Sequence, residues 1–135
     1  MLLFMLTTVS IYAGSVEIMK AWIDDFGYEN EVYGRYAHVG FVINDCKGQA
    51  CKVKVYLRDA SGKNVVNNNG YVVLFTSTFY PNDNSSRWHD YRVFCPLSSM
   101  NIKSSSPKKN YSMVIYIVDS NGNTLGNSSS MNFTY

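Results

Sequence analysis

Few side chains in this sequence are equipped for chemistry. Its 135 residues include three cysteines, two histidines and ten Asp or Glu. Cys46 and Cys51 bracket the short segment Lys47-Gly48-Gln49-Ala50. Two thiols placed so closely can join as a disulfide, stay as free thiols, or supply half of a zinc site. Zinc needs two further Cys or His at matching spacing, and Cys95, His38 and His89 form no second close pair. The disulfide is the favoured reading, and because its loop is so short it stabilises by about 2 kcal/mol at most. Cys95, in the apolar run Arg92-Val93-Phe94-Cys95-Pro96, reads as a buried, inert thiol.

The carboxylates and histidines assemble no recognisable active site. His89 and Asp90 are neighbours on a strand, so they face opposite sides and cannot form a dyad. A Ser-His-Asp arrangement can be drawn from distant residues of any Ser-rich chain, so no catalytic residue is assigned. Asp24 and Asp25 with Asp83 or Asp90 could gather at one end of the fold around Ca²⁺, but all suit turns and caps, and no metal or other cofactor is expected. Asp90 is the exception among them, because a half-buried acid within a strand needs a partner.

Binding chemistry is better represented. Lys52, Lys54, Tyr56 and Arg58 share one face of a strand, a pattern that suits an anionic glycan or lipid headgroup and equally suits a solvated face blunting an edge strand. Trp88, together with Trp22, Tyr80, Tyr91 and Tyr116, could stack against sugar rings, though core packing accounts for most such aromatics. The ligand-binding residues expected are therefore Lys52, Lys54, Tyr56, Arg58 and Trp88.

Short strands must position these groups. In Tyr36 to Arg58, Val39, Phe41 and Ile43 alternate with His38, Gly40, Val42 and Asn44. Cys51, Val53, Val55 and Leu57 alternate likewise with the basic set. Period-two patterning marks strands with one face on a core, and the Gly-containing segment between them predicts a hairpin. Further strands are expected over 16–23, 71–80, 88–95, 111–119 and 124–135, with a loop over 24–34, turns at Asp59–Lys63, Asn67–Gly70 and Ser120–Asn123, and a helical turn at Leu97–Met100. Tyr111 to Asp119 is apolar on both faces, which predicts a central strand. About seven to eight strands without an amphipathic helix imply a single all-β domain, an antiparallel sandwich of immunoglobulin-like or C2-like type.

Leu2 to Ala13 is apolar, too short to span a bilayer, and followed by small residues suited to cleavage. Residues 1–14 are therefore read as a signal peptide, despite the missing basic start, and 15–135 as the mature domain. That places the protein outside the cytoplasm, secreted or in the cell envelope, where a disulfide is permitted. A net charge of +2 is too small to argue for nucleic acid.

One set of spaced features adds to this. Val16 and Trp22, Gly34 and His38 ahead of Val39–Ile43, Lys47-Gly48, Val55-Tyr56-Leu57, Gly62-Lys63, Phe79-Tyr80-Pro81, Asp90–Pro96, and Asp119, Gly122 and Leu125 together resemble a small bacterial β-sandwich domain family common in gut Bacteroidetes. The resemblance spans nearly the whole mature chain. It implies a bacterial domain found alone or attached to envelope and signalling proteins, and it brings no established activity. The cysteine pair and Cys95 depart from the family pattern. The expected function is that of a non-enzymatic accessory or binding module of the envelope, with a glycan or envelope protein as partner and no transmembrane span. The alternative is a small hydrolase or a Ca²⁺-dependent lipid- or glycan-binding domain.

Overall fold

The computed structural model describes residues 14–135. The segment read as a signal peptide lies outside the described residues but for Gly14. Eight strands and one helical turn follow in order: β1 (Ser15–Ile23), β2 (Gly27–Glu29), β3 (Val32–Asn44), β4 (Cys51–Asp59), β5 (Leu74–Phe79), β6 (Ser85–Pro96), α1 (Leu97–Met100), β7 (Asn110–Val118) and β8 (Thr124–Thr134). They form two antiparallel sheets packed face to face, a β-sandwich. No helix among the described residues is long and apolar enough to cross a membrane.

In the first sheet β3 is the spine. β1 pairs with residues 37–44 and β2 with residues 32–34 along one edge of β3, while β6 takes the other edge. The second sheet has the order β5-β4-β7-β8, so β7 is interior as its doubly apolar pattern implies. The inward residues of both sheets meet in one core. Val39, Phe41 and Ile43 from β3 face Val53, Val55 and Leu57 from β4 and Met113, Ile115 and Ile117 from β7, with Met100 of the helical turn closing one end. Such close-packed side chains are the main favourable term in the fold. Where β5 and β6 meet, Phe41, Phe79, Trp88 and Tyr91 stack together, and Tyr91 and Ser77 join hydroxyls at 2.6 Å.

Two expectations are corrected. The segment from Tyr36 to Arg58 is not a hairpin, because β3 and β4 lie in different sheets. The connection is an arch that carries the chain across the core. Asp45 and Gly48 turn it with φ of 60° and 75°, and its amides bond elsewhere, Asp45 to the Asn84 carbonyl and Gly48 to that of Pro81, each at 2.8 Å. Alternation in both strands records an inward face, and two strands facing each other across a core satisfy it as well as two paired strands. The expected loop over 24–34 contains β2 and a two-residue turn at Asn30-Glu31, with φ of 46° and 67°. That is a primed hairpin turn built without the usual glycine, so its signal was missing.

Gly40 organises the first sheet. β1 shifts register between Ile18 and Lys20, and β6 shifts opposite Val39 to Phe41. Both irregularities fall beside Gly40, where a Cβ would stand 2.9 Å from the His89 carbonyl. The extra residue in β6 breaks simple alternation at His89 and Asp90, so Trp88 and Tyr91 both turn inward while Asp90 turns outward.

Candidate functional site

On the outer face of the first sheet the fold assembles a cluster that no local motif announces. His38 is 5 % exposed, and both its ring nitrogens are engaged. Nδ1 lies 2.6 Å from Asp90 Oδ1 and Nε2 lies 2.8 Å from Asp24 Oδ2. Both contacts act as hydrogen bonds together when both ring nitrogens carry protons, each carboxylate then accepting one. The Trp22 indole stacks on it, with centroids 4.8 Å apart and planes 8° from parallel, and Lys20 Nζ sits 4.7 Å from the Trp22 ring centroid. β1 and β3 bring Trp22 opposite His38, and the bulge in β6 delivers Asp90.

Asp24 is held by its backbone. Its amide donates to the Tyr36 carbonyl at 3.1 Å, and its carbonyl accepts from Arg35, through Nε at 2.8 Å and through Nη2. Arg35 is a buried cation with its guanidinium over Phe26 and Phe133. Burial pulls its pKa down from the ordinary arginine value, against the opposing pull of Asp25 and Asp24. Arg35 thus fixes the strand end that aims Asp24 at His38. Asp24 and Asp90 do converge, as the calcium alternative required, but His38 stands between them. Among the described residues no group of His, Cys, Asp or Glu is arranged to hold a metal ion. With both nitrogens engaged by Asp24 and Asp90, His38 offers neither to a substrate or a metal ion. The arrangement is an ion-paired brace between β3, β6 and the chain leaving β1.

The residues expected to bind ligand occupy two places. Lys52, Lys54, Tyr56 and Arg58 point outward from β4, which is interior in its sheet, so they do not blunt an edge. Trp88 lies in the other sheet against Phe41 and Phe79 and does not join them. The aromatic platform is dispersed in the same way, with Trp22 on His38, Tyr91 in the core edge and Tyr116 beside Tyr56. Arg58 Nη2 donates to the Tyr56 hydroxyl at 2.8 Å, and its guanidinium lies 5.3 Å from the ring centroid. Tyr56 and Tyr116 meet edge to face at 5.8 Å. Val114 and Val118 are buried here although they stand apart from the inner core, and they lie opposite Tyr56 and Lys52 in register. Tyr56, Tyr116, Asn64, Val72 and Leu74 line a hollow of about 280 Å³.

Cys46 and Cys51 stand at the two feet of the arch, both buried and both free thiols. They are close enough that each perturbs the other's ionisation. Burial, then its neighbour Cys46, pushes the Cys51 thiol up to about 12, and burial does the same to Cys95. The disulfide expected here is not formed, and the two thiols are neighbours across an arch between sheets and not across a hairpin.

No family model matches the chain, and no curated protein does. Among solved structures it is similar to catalytically inactive OgpA from Akkermansia muciniphila, in complex with an O-glycopeptide substrate, glycodrosocin. That likeness has a TM-score of 0.49 at 11% identity, and covers 90% of this chain and 28% of the other.

Proposed function

We propose that this domain is a non-catalytic binding module of an exported, envelope-associated bacterial protein. The observation that carries the reading is the outer face of the second sheet. Lys52 and Arg58 are exposed and Lys54 partly so, and among the described residues none of the three pairs with a carboxylate. Unpaired cations around packed tyrosines recruit anions by long-range attraction and hold them by contact. His38, Asp24 and Asp90, the acid–base groups the fold does bring together, are bonded to one another in the brace, which supports binding over catalysis.

Two measurements on the full chain test this. Glycan and lipid arrays should return a salt-sensitive ligand. Generic ester and glycoside substrates should show no turnover. Turnover that disappears in His38→Gln, with no ligand on either array, would overturn the proposal in favour of a hydrolase.

A further inference from the structure

The hollow beside Tyr56 has properties that narrow the ligand. Its walls are two tyrosine rings, the side chains of Val72 and Leu74, which are 43% and 44% exposed, and the amide of Asn64. At about 280 Å³ it sits at the small end of ligand sites, room for one ring and not for an extended peptide. Tyrosine suits such a ligand, since it offers an apolar body and a polar tip. The Tyr116 hydroxyl has its pKa raised by burial and by Tyr56, so it remains a neutral donor. Arg58 bonds Tyr56 through one nitrogen, and the rest of its five-donor fork stays available.

Around the hollow the sheet face is hydroxylated and cationic. Thr76 and Thr78 of β5 and Ser112 of β7 flank β4 in register with Lys54, Lys52 and Arg58. No Asp or Glu occupies an outward position within these strands. Asp59 ends β4 and Asp119 directly follows β7. Asp59 accepts from Ser61 and Lys63, and Asp119 accepts from Asn121 and Asn123. Fixed positive charge, hydroxyl and amide partners, and an aromatic one-ring hollow are together the complement of an acidic sugar.

Resting on the binding-module reading above, we propose that this hollow is a subsite for one ring of an acidic glycan. The ring packs on Tyr56 and Tyr116, and its carboxylate faces Lys54 and Arg58. A bidentate guanidinium–carboxylate contact supplies orientation, and Lys52 extends the attraction to a neighbouring acidic residue of the glycan.

The test compares a galacturonic acid hexamer with its methyl ester by calorimetric titration of the full chain. The acid is expected to bind, to weaken with salt, and to lose about tenfold or more in affinity on esterification, in Lys54→Ala/Arg58→Ala and in Tyr116→Ala. Tyr116→Phe keeps the ring and loses only the hydroxyl, so it should lose less affinity than Tyr116→Ala, and an unshifted melting temperature in each variant controls for folding. Equal binding of acid and ester, abolished by Tyr116→Ala, overturns the acidic class and leaves the module reading intact. Acid binding untouched by all these variants overturns this hollow as the site. Retention on anionic phospholipid vesicles with no binding of the hexamer overturns a glycan ligand altogether.

Discussion

Replacing His38 by Phe isolates the energetics of the brace. An aromatic ring able to stack on Trp22 is kept, while both contacts to the carboxylates of Asp24 and Asp90 are lost. Such bonds contribute roughly 1.5–3 kcal/mol each when their partners are desolvated. Here the Asp24 and Asp90 side chains are 50% and 47% exposed, so water recovers part of that on their side. About 1 kcal/mol per bond is the discounted value, or about 2 kcal/mol in total. His38→Ala adds the loss of stacking and contact, for about 3–4 kcal/mol. Urea unfolding at neutral pH reads these as shifts in midpoint at constant slope. At about 4 °C per kcal/mol, the melting temperature should fall by about 8 °C in His38→Phe. Asp24→Asn and Asp90→Asn should each lose about half as much, and little more in a His38→Phe background, because they act through the same ring. Nitrogen-15 spectra of the imidazole should show protons on both ring nitrogens. A His38→Phe protein as stable as the parent, or a ring with one proton, refutes the reasoning.

Other outcomes follow from the geometry. In exported protein, Cys46 and Cys51 should be joined by a disulfide while Cys95 stays reduced, read by intact mass and peptide mapping after alkylation of the denatured, unreduced chain; three alkylated cysteines would exclude the bond. In reduced protein, the raised thiols contribute stability that is complete below their ordinary pKa of 9.0 and is lost as pH rises towards about 12, so alkaline unfolding should begin at lower pH than in a Cys95→Ser and Cys51→Ser protein that still folds. Glu31→Gly should stabilise by about 1 kcal/mol in thermal melts, since it relieves a left-handed residue in an exposed turn. Asp59 has its pKa lowered chiefly by hydrogen bonds from Ser61 and Lys63. In Asp119, burial pushes upward but bonds from Asn123, Asn121 and Gly122 outweigh it. Both contribute stability that is present above the ordinary value of 3.8 and lost as pH falls below it, so Asp59→Asn with Asp119→Asn should flatten the acid limb of the stability profile.

Much of this was legible in the residues and some was not, for definite reasons. Val39, Phe41 and Ile43, and Val53, Val55 and Leu57, read correctly as inward, because alternation reports the face of a strand directly. The helical turn at Leu97–Met100 and the interior place of β7 were legible too. Pairing was not, since nothing in β3 or β4 says whether an inward strand looks at its neighbour or across the core. The brace was half visible. Asp90 stood out as an acid in need of a partner, yet the partner lies 52 residues away on β3. The bulges at Gly40 that bring them together leave only a glycine in a strand as their trace. The basic face on β4 was legible as such, whereas Trp88, expected to bind ligand as well, packs in the other sheet, because residue type says nothing about which sheet a ring belongs to.

The arch has a consequence for how the chain comes to be folded. Because β3 crosses to the other sheet at Asp45–Ala50, its long edge waits for β6, and β4 in turn waits for β5 and β7. Apart from the short turn joining β2 to β3, the sole neighbours in sequence among the described residues that pair directly within a sheet are β4 with β5 and β7 with β8. Closure of either sheet therefore depends on encounters between distant segments, the kind that fold in milliseconds to seconds and not faster. It also leaves the hairpin of residues 110–134 as a separable part that pairs with one strand, β4, and packs its inward face on β1 and the shared core. A chain cut within residues 103–108 should fall apart on dilution of its pieces and regain its fold when the hairpin peptide is returned, which makes the domain a natural split reporter.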